Sequence, residues 1–286
     1  MRQFGDLWVK DESVLGEGGN KVRKLEWILP ELRRRGARTV ITAGGLGTNW
    51  GLALARHAAE HGIATQLALV DQPRTPAVEE RLEQLRAAAT VHLTHDNART
   101  AAAVAGILAR AAVRDRTLPV WLPPGGSSPL GTLGYVDAGL ELAAQVDRGE
   151  LPEPARVVTA VGSGGTAAGL ALGLRMAGLR TRVAGVVVAD QLRLDARALT
   201  RKARAAAALM RRHGAFHPVP DVREDQLDVT FAQLGPGYGH ATEASERARR
   251  EAPVTLDPVY SAKAYAALEG LADDGPLLFL RTNGAP

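Results

Sequence analysis

Hydrophobic residues recur along this chain in short continuous runs, and glycine or proline separates each run from a longer Ala/Leu-rich stretch with helical spacing. Continuous apolar runs of about four to eight residues are typical of strands that are buried on both faces of a parallel sheet. The strands predicted from these runs are 6–10, 39–43, 65–70, 91–94, 119–122, 156–161, 183–189, 228–234 and 276–281.

The stretches between these runs predict helices, and strands that alternate regularly with helices indicate an α/β protein with mostly parallel sheets. A Pro- and Gly-containing acidic segment at 147–154 is the clearest linker. We therefore expect two three-layer α/β/α domains, a larger one from residues 1–37 plus 146–286 and a smaller one from 38–145. The predicted helices are 22–35, 50–61, 77–89, 100–114, 134–148, 166–177, 197–213, 242–251 and 261–272.

The composition is that of a globular protein and excludes several kinds of site. The 286 residues include no cysteine, which rules out disulfides, thiolate nucleophiles and cysteine-ligated zinc. The net charge is +4, but the arginines are spread over helical segments with acidic partners and aromatic residues make up only 4%, so we expect no nucleic-acid partner. No run is long enough to span a bilayer and the N-terminus lacks a signal-peptide core, so we expect no membrane partner and a cytoplasmic location.

The stretch from Glu17 to Leu25 joins the first predicted strand to the first helix and presents Lys21 at the turn. Paired glycines allow close approach of the backbone, and Asn20 is suited to cap the helix that follows. The helix N-terminus and the neighbouring Arg23 and Lys24 should lower the pKa of the Lys21 amine, which favours Schiff-base chemistry. Only five lysines occur in the chain, so two within one turn are unlike a generic surface.

A second glycine-rich turn, 162–167, follows a Val-rich strand and opens a helix. Backbone N–H groups of such a loop, together with the helix N-terminus, form a cradle for a phosphate group. The same loop satisfies the dinucleotide pattern G-x-G-x-x-A at Gly162, Gly164 and Ala167, with Asp190 after the next strand, so a nicotinamide or flavin oxidoreductase is an open alternative.

Further turns carry polar residues where strands meet helices. Thr48 and Asn49 are expected to cap the helix after 42–47, leaving N–H groups that suit a carboxylate. The turn 123–129 is expected to be rigid with exposed hydroxyls, and Tyr238 and Tyr260 each lie where a loop meets a helix.

Two other patterns are weaker. The sequence of His57, Glu60 and His61 matches a zinc-binding helix, but no third ligand is evident and these residues close an Ala-rich helix. Asp257 and His240 could form a dyad with a serine, but no G-x-S-x-G nucleophile turn accompanies them. We therefore expect neither a metal site nor a serine hydrolase.

Six motifs in this order resemble the pyridoxal-phosphate enzymes of the tryptophan-synthase-β type (fold type II), and most of all the D-cysteine desulfhydrase and 1-aminocyclopropane-1-carboxylate deaminase group. Each motif is weak alone, but their order extends over residues 6–284. The motifs are GGNKVRK at 18–24, GGLGTN at 44–49, PPGGSSPLGTLGY at 123–135, VGSGGTAAGL at 161–170, GYG at 237–239 and LDPVYSAK at 256–263.

The resemblance implies pyridoxal 5'-phosphate as cofactor, a small amino acid as substrate, and a homodimer. Lys21 matches the lysine that holds the cofactor covalently and then moves the α-proton of the substrate. The cofactor-binding residues implied are Lys21, Lys24, Asn49, Gly162, Ser163, Gly164, Gly165, Thr166 and Ser261. The implied catalytic residues are Lys21, Thr48, Tyr238 and Tyr260, and those expected at the substrate are Thr48, Asn49, Trp50, Tyr238 and Tyr260.

Ser261 matches the position that faces the cofactor's ring nitrogen in this group. A hydroxyl there does not force that nitrogen to be protonated, which suits β-elimination, whereas the deaminases carry glutamate. The chain also departs from the group, since Thr48, Trp50 and Leu52 stand where serine, histidine and often arginine occur. We expect the first two changes to reshape the carboxylate side of the pocket.

The resemblance favours a lyase that eliminates a leaving group from Cβ of a small amino acid and gives a 2-oxo acid and ammonia, as D-cysteine desulfhydrase does. A deaminase of the 1-aminocyclopropane-1-carboxylate type and a β- or γ-replacement enzyme are related alternatives. A cofactor-binding protein without catalysis is the alternative outside the enzymes.

Overall fold

The computed structural model describes residues 1–215 and 218–282, and for residues 272–274 it describes the backbone alone. The strands in these ranges are β1 (Arg2–Phe4), β2 (Leu7–Asp11), β3 (Thr39–Gly45), β4 (Ala64–Val70), β5 (Thr90–Thr94), β6 (Val120–Trp121), β7 (Arg156–Val161), β8 (Arg182–Val187), β9 (Leu227–Thr230) and β10 (Leu277–Arg281). The α-helices are α1 (Val22–Arg34), α2 (Asn49–Ala59), α3 (Pro76–Ala88), α4 (Asn97–Asp115), α5 (Pro129–Asp147), α6 (Gly165–Met176), α7 (Ala196–Arg212), α8 (Glu243–Glu251) and α9 (Ser261–Ala266).

The strands form two sheets, with the orders β1-β2-β10-β7-β8-β9 and β5-β4-β3-β6. Neighbouring strands run parallel except β1 and β2, which pair antiparallel. The predicted fold class, α/β with mostly parallel sheets and helices, is therefore confirmed.

The central strands of the larger sheet are buried on both faces, as their continuous apolar runs predict. Val157 packs into one core with helices α5, α6 and α7, while the next residue, Val158, packs into a second core with α8 and α9. Side chains alternate between the faces of a strand, so one valine-rich strand stabilises both layers. Because the strands run parallel, their carboxyl ends lie at one edge of each sheet, and ligands bind at this edge in folds of this type.

Several predicted boundaries were wrong. The prediction missed β1, and β9 ends at Thr230 rather than at 234 because the chain turns there. The last helix ends at Ala266 and continues as a 3₁₀ segment to Asp274. Helix α5 begins at Pro129, five residues before the predicted start, because Ser128 accepts a hydrogen bond from the N–H of Gly131 and so caps the helix.

Glycines inside α5 serve close packing instead of ending the helix. A Cβ on Gly134 would come within 1.9 Å of the carbonyl oxygen of Arg23 in α1, so this contact requires glycine. Helix α5 also packs along α6 within the core of the larger sheet. Helix α1 packs against α2 in a cluster with Val40 and Trp50 on the smaller sheet.

The domain boundaries at 37/38 and 145/146 stay a prediction. Helix α1 packs with the smaller sheet and α5 packs with the larger one. We therefore propose that α1 belongs to the smaller unit and α5 to the larger unit, the reverse of the predicted assignment. Residues 216–217 and 283–286 of the predicted larger unit lie outside the described residues. None of the helices within 1–215 and 218–282 is long and apolar enough to cross a membrane.

Candidate active site

A cavity of about 300 Å³ lies between the two sheets, where β3, β7 and β8 end. It brings together most of the residues that the sequence singled out, although their motifs are far apart in the chain. The predicted residues on its wall are Lys21, Lys24, Thr48, Asn49, Trp50, Gly162, Ser163, Gly164, Thr166, Tyr238 and Tyr260. Two predicted residues, Gly165 and Ser261, do not line it.

Lys21 reaches the cavity from the turn between β2 and α1. Gly18 and Gly19 have positive φ angles of 110° and 52°, conformations that favour glycine. The predicted cap by Asn20 was wrong, because the residue before α1 is Lys21 itself and no side chain caps the helix. Asn20 is buried instead, and its carbonyl oxygen accepts a hydrogen bond from the hydroxyl of Tyr135.

The Lys21 amine has a pKa suited to chemistry near neutral pH. Burial lowers its pKa to about 8, and the negative charge of Asp257 offsets part of this effect. The sequence predicts that Arg23 helps to lower the pKa of Lys21. The Arg23 guanidinium is paired with Glu12 and Glu141, so its charge is compensated. Desolvation is therefore the main cause, and part of the lysine population is neutral near pH 7 to 8.

This shift predicts how the stability of the cofactor-free protein changes with pH. The unfolded chain keeps the Lys21 proton up to about pH 10.5, whereas the folded protein releases it near pH 8. Because the unfolded state binds more protons in this window, the free energy of unfolding should rise with pH there. We expect Lys21→Met to show a smaller rise than the wild type in urea unfolding between pH 8 and 10.5, and equal slopes would contradict the assignment.

The loop after β7 forms a cradle of backbone N–H groups at the N-terminus of α6. Gly164 has a φ of 85° and directly precedes the helix. A Cβ on Gly165 would come within 2.6 Å of the Ser127 Oγ and 3.0 Å of the Lys24 Nζ, so the close approach of these groups depends on glycine. The geometry is that of an anion site.

Ser127 joins this cradle from a different turn, and the sequence prediction of an exposed hydroxyl there was wrong. Its side chain is buried, and its Oγ accepts the N–H of Gly165 at 3.1 Å and lies 2.7 Å from the Ser163 Oγ. The next residue, Ser128, is used to cap α5. The buried Ser127 hydroxyl is therefore part of the cradle that the glycine loop forms.

Lys24 is a buried cation at the same place. Its Nζ donates to the carbonyl oxygen of Gly125 at 2.8 Å and to the Ser127 Oγ at 3.3 Å. Burial, and then the charges of Lys21 and Lys202, hold the pKa of Lys24 well below its usual value. Within the described ranges no carboxylate pairs with it, so an anion in the cavity would supply the missing negative charge.

The smaller sheet contributes the residues after β3. Thr48 caps α2, because its Oγ1 accepts the N–H of Gly51 at 3.2 Å, as predicted. Asn49 is the first residue of the helix and lines the cavity. Trp50 also touches the cavity, but its indole is buried in the core around Leu25 and donates to the Thr42 Oγ1, which limits its expected effect on the pocket.

Two tyrosines meet at the cavity wall. The hydroxyls of Tyr238 and Tyr260 are 2.8 Å apart and their rings pack edge to face. Burial is the main cause that raises the pKa of both, so both phenols keep their protons at neutral pH. Each hydroxyl has one proton, so when one donates to the other, the proton of the second is free to point at a ligand.

Asp257 organises the turn that carries Tyr260 and Ser261. One carboxylate oxygen accepts the N–H of Tyr260, and the other accepts both the N–H of Ser261 and, at 2.5 Å, its hydroxyl. This buried carboxylate therefore fixes the backbone, and the dyad with His240 does not form because His240 is exposed. The role predicted for Ser261 at a cofactor ring stays a prediction.

The residues of the zinc-binding and dinucleotide-binding sequence patterns make other contacts in the structure. His57 lies 2.7 Å from the carbonyl oxygen of Glu17, next to the Lys21 turn. Across residues 1–215 and 218–282, no group of three or more His, Cys, Asp or Glu could hold a metal ion. Asp190 accepts the backbone N–H of Tyr238 and so positions the tyrosine loop.

Comparison with known proteins decides between the chemistries left open. Residues 2–280 match the profile of the family described as pyridoxal-phosphate dependent enzyme. The chain belongs to this family. The alternative of a nucleotide-dependent oxidoreductase is thereby overturned, and the chain is a pyridoxal-phosphate-dependent lyase or deaminase.

Individual relatives cover nearly all of the chain. A D-cysteine desulfhydrase of Serratia proteamaculans is 34% identical over 302 residues, which is 98% of this chain and 87% of the relative. A Pyrococcus horikoshii protein, provisionally named as a 1-aminocyclopropane-1-carboxylate deaminase, is 31% identical over 290 residues, 99% of this chain and 86% of its own.

Solved structures agree with the fold. The crystal structure of an ACC deaminase homologue superposes with a TM-score of 0.79 at 28% identity and covers 97% of this chain and 84% of that one. A threonine deaminase structure, with a TM-score of 0.65 at 21% identity, covers 98% and 87% and shows the fold alone.

The residues of the cavity fit pyridoxal phosphate. Lys24 is a buried cation that lacks a carboxylate partner within the described ranges, and it lies beside a loop whose Gly165 leaves no room for a Cβ. The phosphate would be held by this loop, Lys24 and Ser127, and Lys21 would hold the cofactor covalently. When bound, the cofactor supplies an electron sink for the carbanion at the substrate Cα.

Several wall residues escaped the sequence prediction. Asn97 and Thr100 come from the start of α4, Gln191 and Leu192 from the loop after β8, and Thr282 from the end of β10. None lies in a glycine motif. Their position after the carboxyl ends of parallel strands is the signal that could have indicated them.

Proposed function

We propose that the chain is a D-cysteine desulfhydrase-like lyase, which eliminates the group at Cβ of a small amino acid. With D-cysteine and water the products are pyruvate, hydrogen sulfide and ammonia. The observation that carries the proposal is the Lys21 amine, with its pKa of about 8, on the wall of the cavity that also contains the tyrosine pair. Similarity to the desulfhydrases over nearly the whole chain supports it.

The residues of the chain have distinct tasks in this proposal. The neutral fraction of Lys21 is the base that takes the proton from the substrate Cα. The N–H groups at the start of α2, after Thr48, suit the substrate carboxylate. The protonated hydroxyls of Tyr238 and Tyr260 are hydrogen-bond donors toward the leaving group or the substrate amine.

The test is to add substrates to the cofactor-loaded protein and identify the products. We expect D-cysteine to change the visible spectrum and to release pyruvate and sulfide. L-cysteine and 1-aminocyclopropane-1-carboxylate serve as the comparison substrates. Release of a four-carbon 2-oxo acid from the cyclopropane substrate, with no turnover of D-cysteine, would overturn the proposal in favour of the deaminase.

The deaminase is the second candidate, because one relative of similar identity and one similar solved structure carry that name. Ser261 favours the desulfhydrase, since the resemblance places glutamate at this position in the deaminases. Two other outcomes are informative. Turnover only in the presence of an added thiol or amine would indicate a replacement enzyme, and a spectrum that ignores every amino acid would indicate a cofactor-binding protein without catalysis.

Removal of one hydroxyl from the tyrosine pair tests its role. We expect Tyr260→Phe to lower kcat/KM for elimination by about 10²-fold, because the hydroxyl acts as a proton donor in the transition state. The absorption spectrum of the bound cofactor should be retained. Tyr265→Phe is the matched control, since Tyr265 packs on Phe279 and does not line the cavity. A loss of activity that is equal in both variants would contradict the assignment.

The homodimer remains a proposal from the resemblance, and the cytoplasmic location remains a proposal from the sequence. Light scattering of the purified protein tests the first, and a mass of one chain, 30.2 kDa, would overturn it. Fractionation of the cells that produce the protein tests the second.

A further inference from the structure

A second cavity, of about 380 Å³, lies on the other side of the phosphate cradle. It is formed by the start of α5, the loop after β8 and the first turns of α7. Leu192 lines both cavities, and Ser127, whose Oγ accepts the N–H of Gly165 in the glycine loop, lines the second.

The charges on the wall of this second cavity are all positive. Arg193, Arg201 and Lys202 line it, and none of the carboxylates in the described part of the chain does. The nearby Asp195 uses its side chain to cap α7, where it accepts the N–H of Ala198. Within 1–215 and 218–282, none of the three cations forms an ion pair. Elsewhere the chain pairs many of its arginines with acids, as Arg211 of the same helix is paired with Asp221.

Lys202 is the central cation, because it is half-buried and passes close to the glycine loop. A Cβ on Gly164 would lie 3.4 Å from the Lys202 Cδ. Burial, and then the charge of Arg201, lower the pKa of Lys202. The Ser127 hydroxyl lies on the same wall, where it accepts the N–H of Gly165 and shares a hydrogen bond with the Ser163 hydroxyl.

We propose that this second cavity is a binding site for a tetrahedral oxyanion of the phosphate or sulfate type, separate from the cofactor site. Arginine and lysine groups around a concave wall are the chemistry that recognises such an anion. A free inorganic ion and the phosphate group of a small metabolite share this chemistry.

The site is distinct from the cofactor's phosphate cradle by position. Lys24 lines the first cavity and not the second, whereas Arg193, Arg201 and Lys202 line the second and not the first. An anion in the second cavity would therefore lie beside the three cations of the loop after β8 and α7, with Ser127 between it and Lys24. The cofactor can therefore occupy the first cavity while an anion occupies the second.

The test uses the pyridoxal-phosphate-loaded protein, so that the first site is filled. We expect sulfate and inorganic phosphate to raise the thermal unfolding temperature in a saturable way, and sodium chloride of equal ionic strength to have no such effect. Glycerol 3-phosphate in a parallel titration distinguishes a phosphate ester from the free ion. If both anions act as chloride does, the proposal is overturned.

Matched variants on α7 locate the effect. We expect Arg201→Gln and Lys202→Gln each to weaken sulfate binding by about tenfold or more, because each removes a charge-assisted hydrogen bond. Arg197→Gln and Arg204→Gln are the controls, since both residues are exposed on the same helix and neither lines the cavity. The unfolding temperature without added anion checks that each variant is folded.

Two results would overturn the site. Equal binding of sulfate to the Arg197→Gln and Arg201→Gln proteins would show that the anion binds elsewhere. Release of the cofactor by sulfate, followed as loss of the visible band, would place the anion in the first cavity. Failure of the lyase proposal does not affect this test, because it measures anion binding and needs no turnover.

Discussion

Replacing Lys21 by alanine is expected to abolish the visible absorption band of the cofactor-loaded protein and to lower kcat/KM by at least about 10³-fold. The reason is that the amine both holds the cofactor and serves as the base at the substrate Cα. Its burial and its pKa of about 8 make it suited to both tasks. Absorbance after addition of pyridoxal phosphate, together with product release, measures the effect.

The Lys21→Ala variant should still bind the phosphate end of the cofactor. Pyridoxamine 5'-phosphate, which cannot link to a lysine, is therefore expected to bind this variant and the wild type with similar affinity. Lys10→Met is the control, because the Lys10 amine is bonded to Glu141 and does not line the cavity. A visible band that survives in Lys21→Ala and disappears in Lys10→Met would contradict the assignment.

Replacing Lys24 by methionine is expected to have opposite effects on the empty and the loaded protein. In the cofactor-free protein the Lys24 ammonium is buried without a carboxylate partner among residues 1–215 and 218–282, so its removal should raise the free energy of unfolding. The same change should weaken the binding of pyridoxamine 5'-phosphate by about 10²-fold, since a buried charge-assisted hydrogen bond to the phosphate is lost.

Urea unfolding of the cofactor-free protein and titration with pyridoxamine 5'-phosphate measure the two effects. Lys263→Met is a matched control, because Lys263 is also buried and also donates to a carbonyl oxygen, that of Leu234, but does not line the cavity. We expect its affinity for the ligand to match the wild type. If Lys24→Met loses stability and keeps its affinity, Lys24 has a structural role and does not hold the phosphate.

The sequence was sufficient to predict most strands of the two sheets and much of the cavity wall. Valine-rich runs that are buried on both faces have no polar alternative, so β7 and β8 could be predicted from their pattern. The glycine turns could be predicted as well, since backbone approach at Gly165 and positive φ at Gly164 require glycine.

Contacts between distant segments could not be predicted in the same way. The Ser127 hydroxyl is buried because α5 brings it against the loop after β7, and nothing local distinguishes it from Ser128. Asparagine is a residue type that commonly caps helices, but Lys21 takes the position before α1 and Asn20 is buried. The glycine at 134 looked like a helix boundary, although it serves the contact with α1.

The position of Trp50 is a similar case. The resemblance compared it with a histidine beside the substrate, whereas packing turns most of the indole into the core, where it donates to Thr42. A large apolar side chain gains more from burial than from a polar wall, so its direction depends on the neighbouring core and not on the motif.

The central claim is that Lys21 is the lysine that holds the cofactor. The most direct test is to load the purified protein with pyridoxal phosphate, trap the covalent link by borohydride reduction, and map the labelled peptide by mass spectrometry. We predict that the label lies on Lys21, and that D-cysteine added before reduction diminishes it. A label on Lys24 or Lys202, or none on the peptide that contains Lys21, would contradict the account.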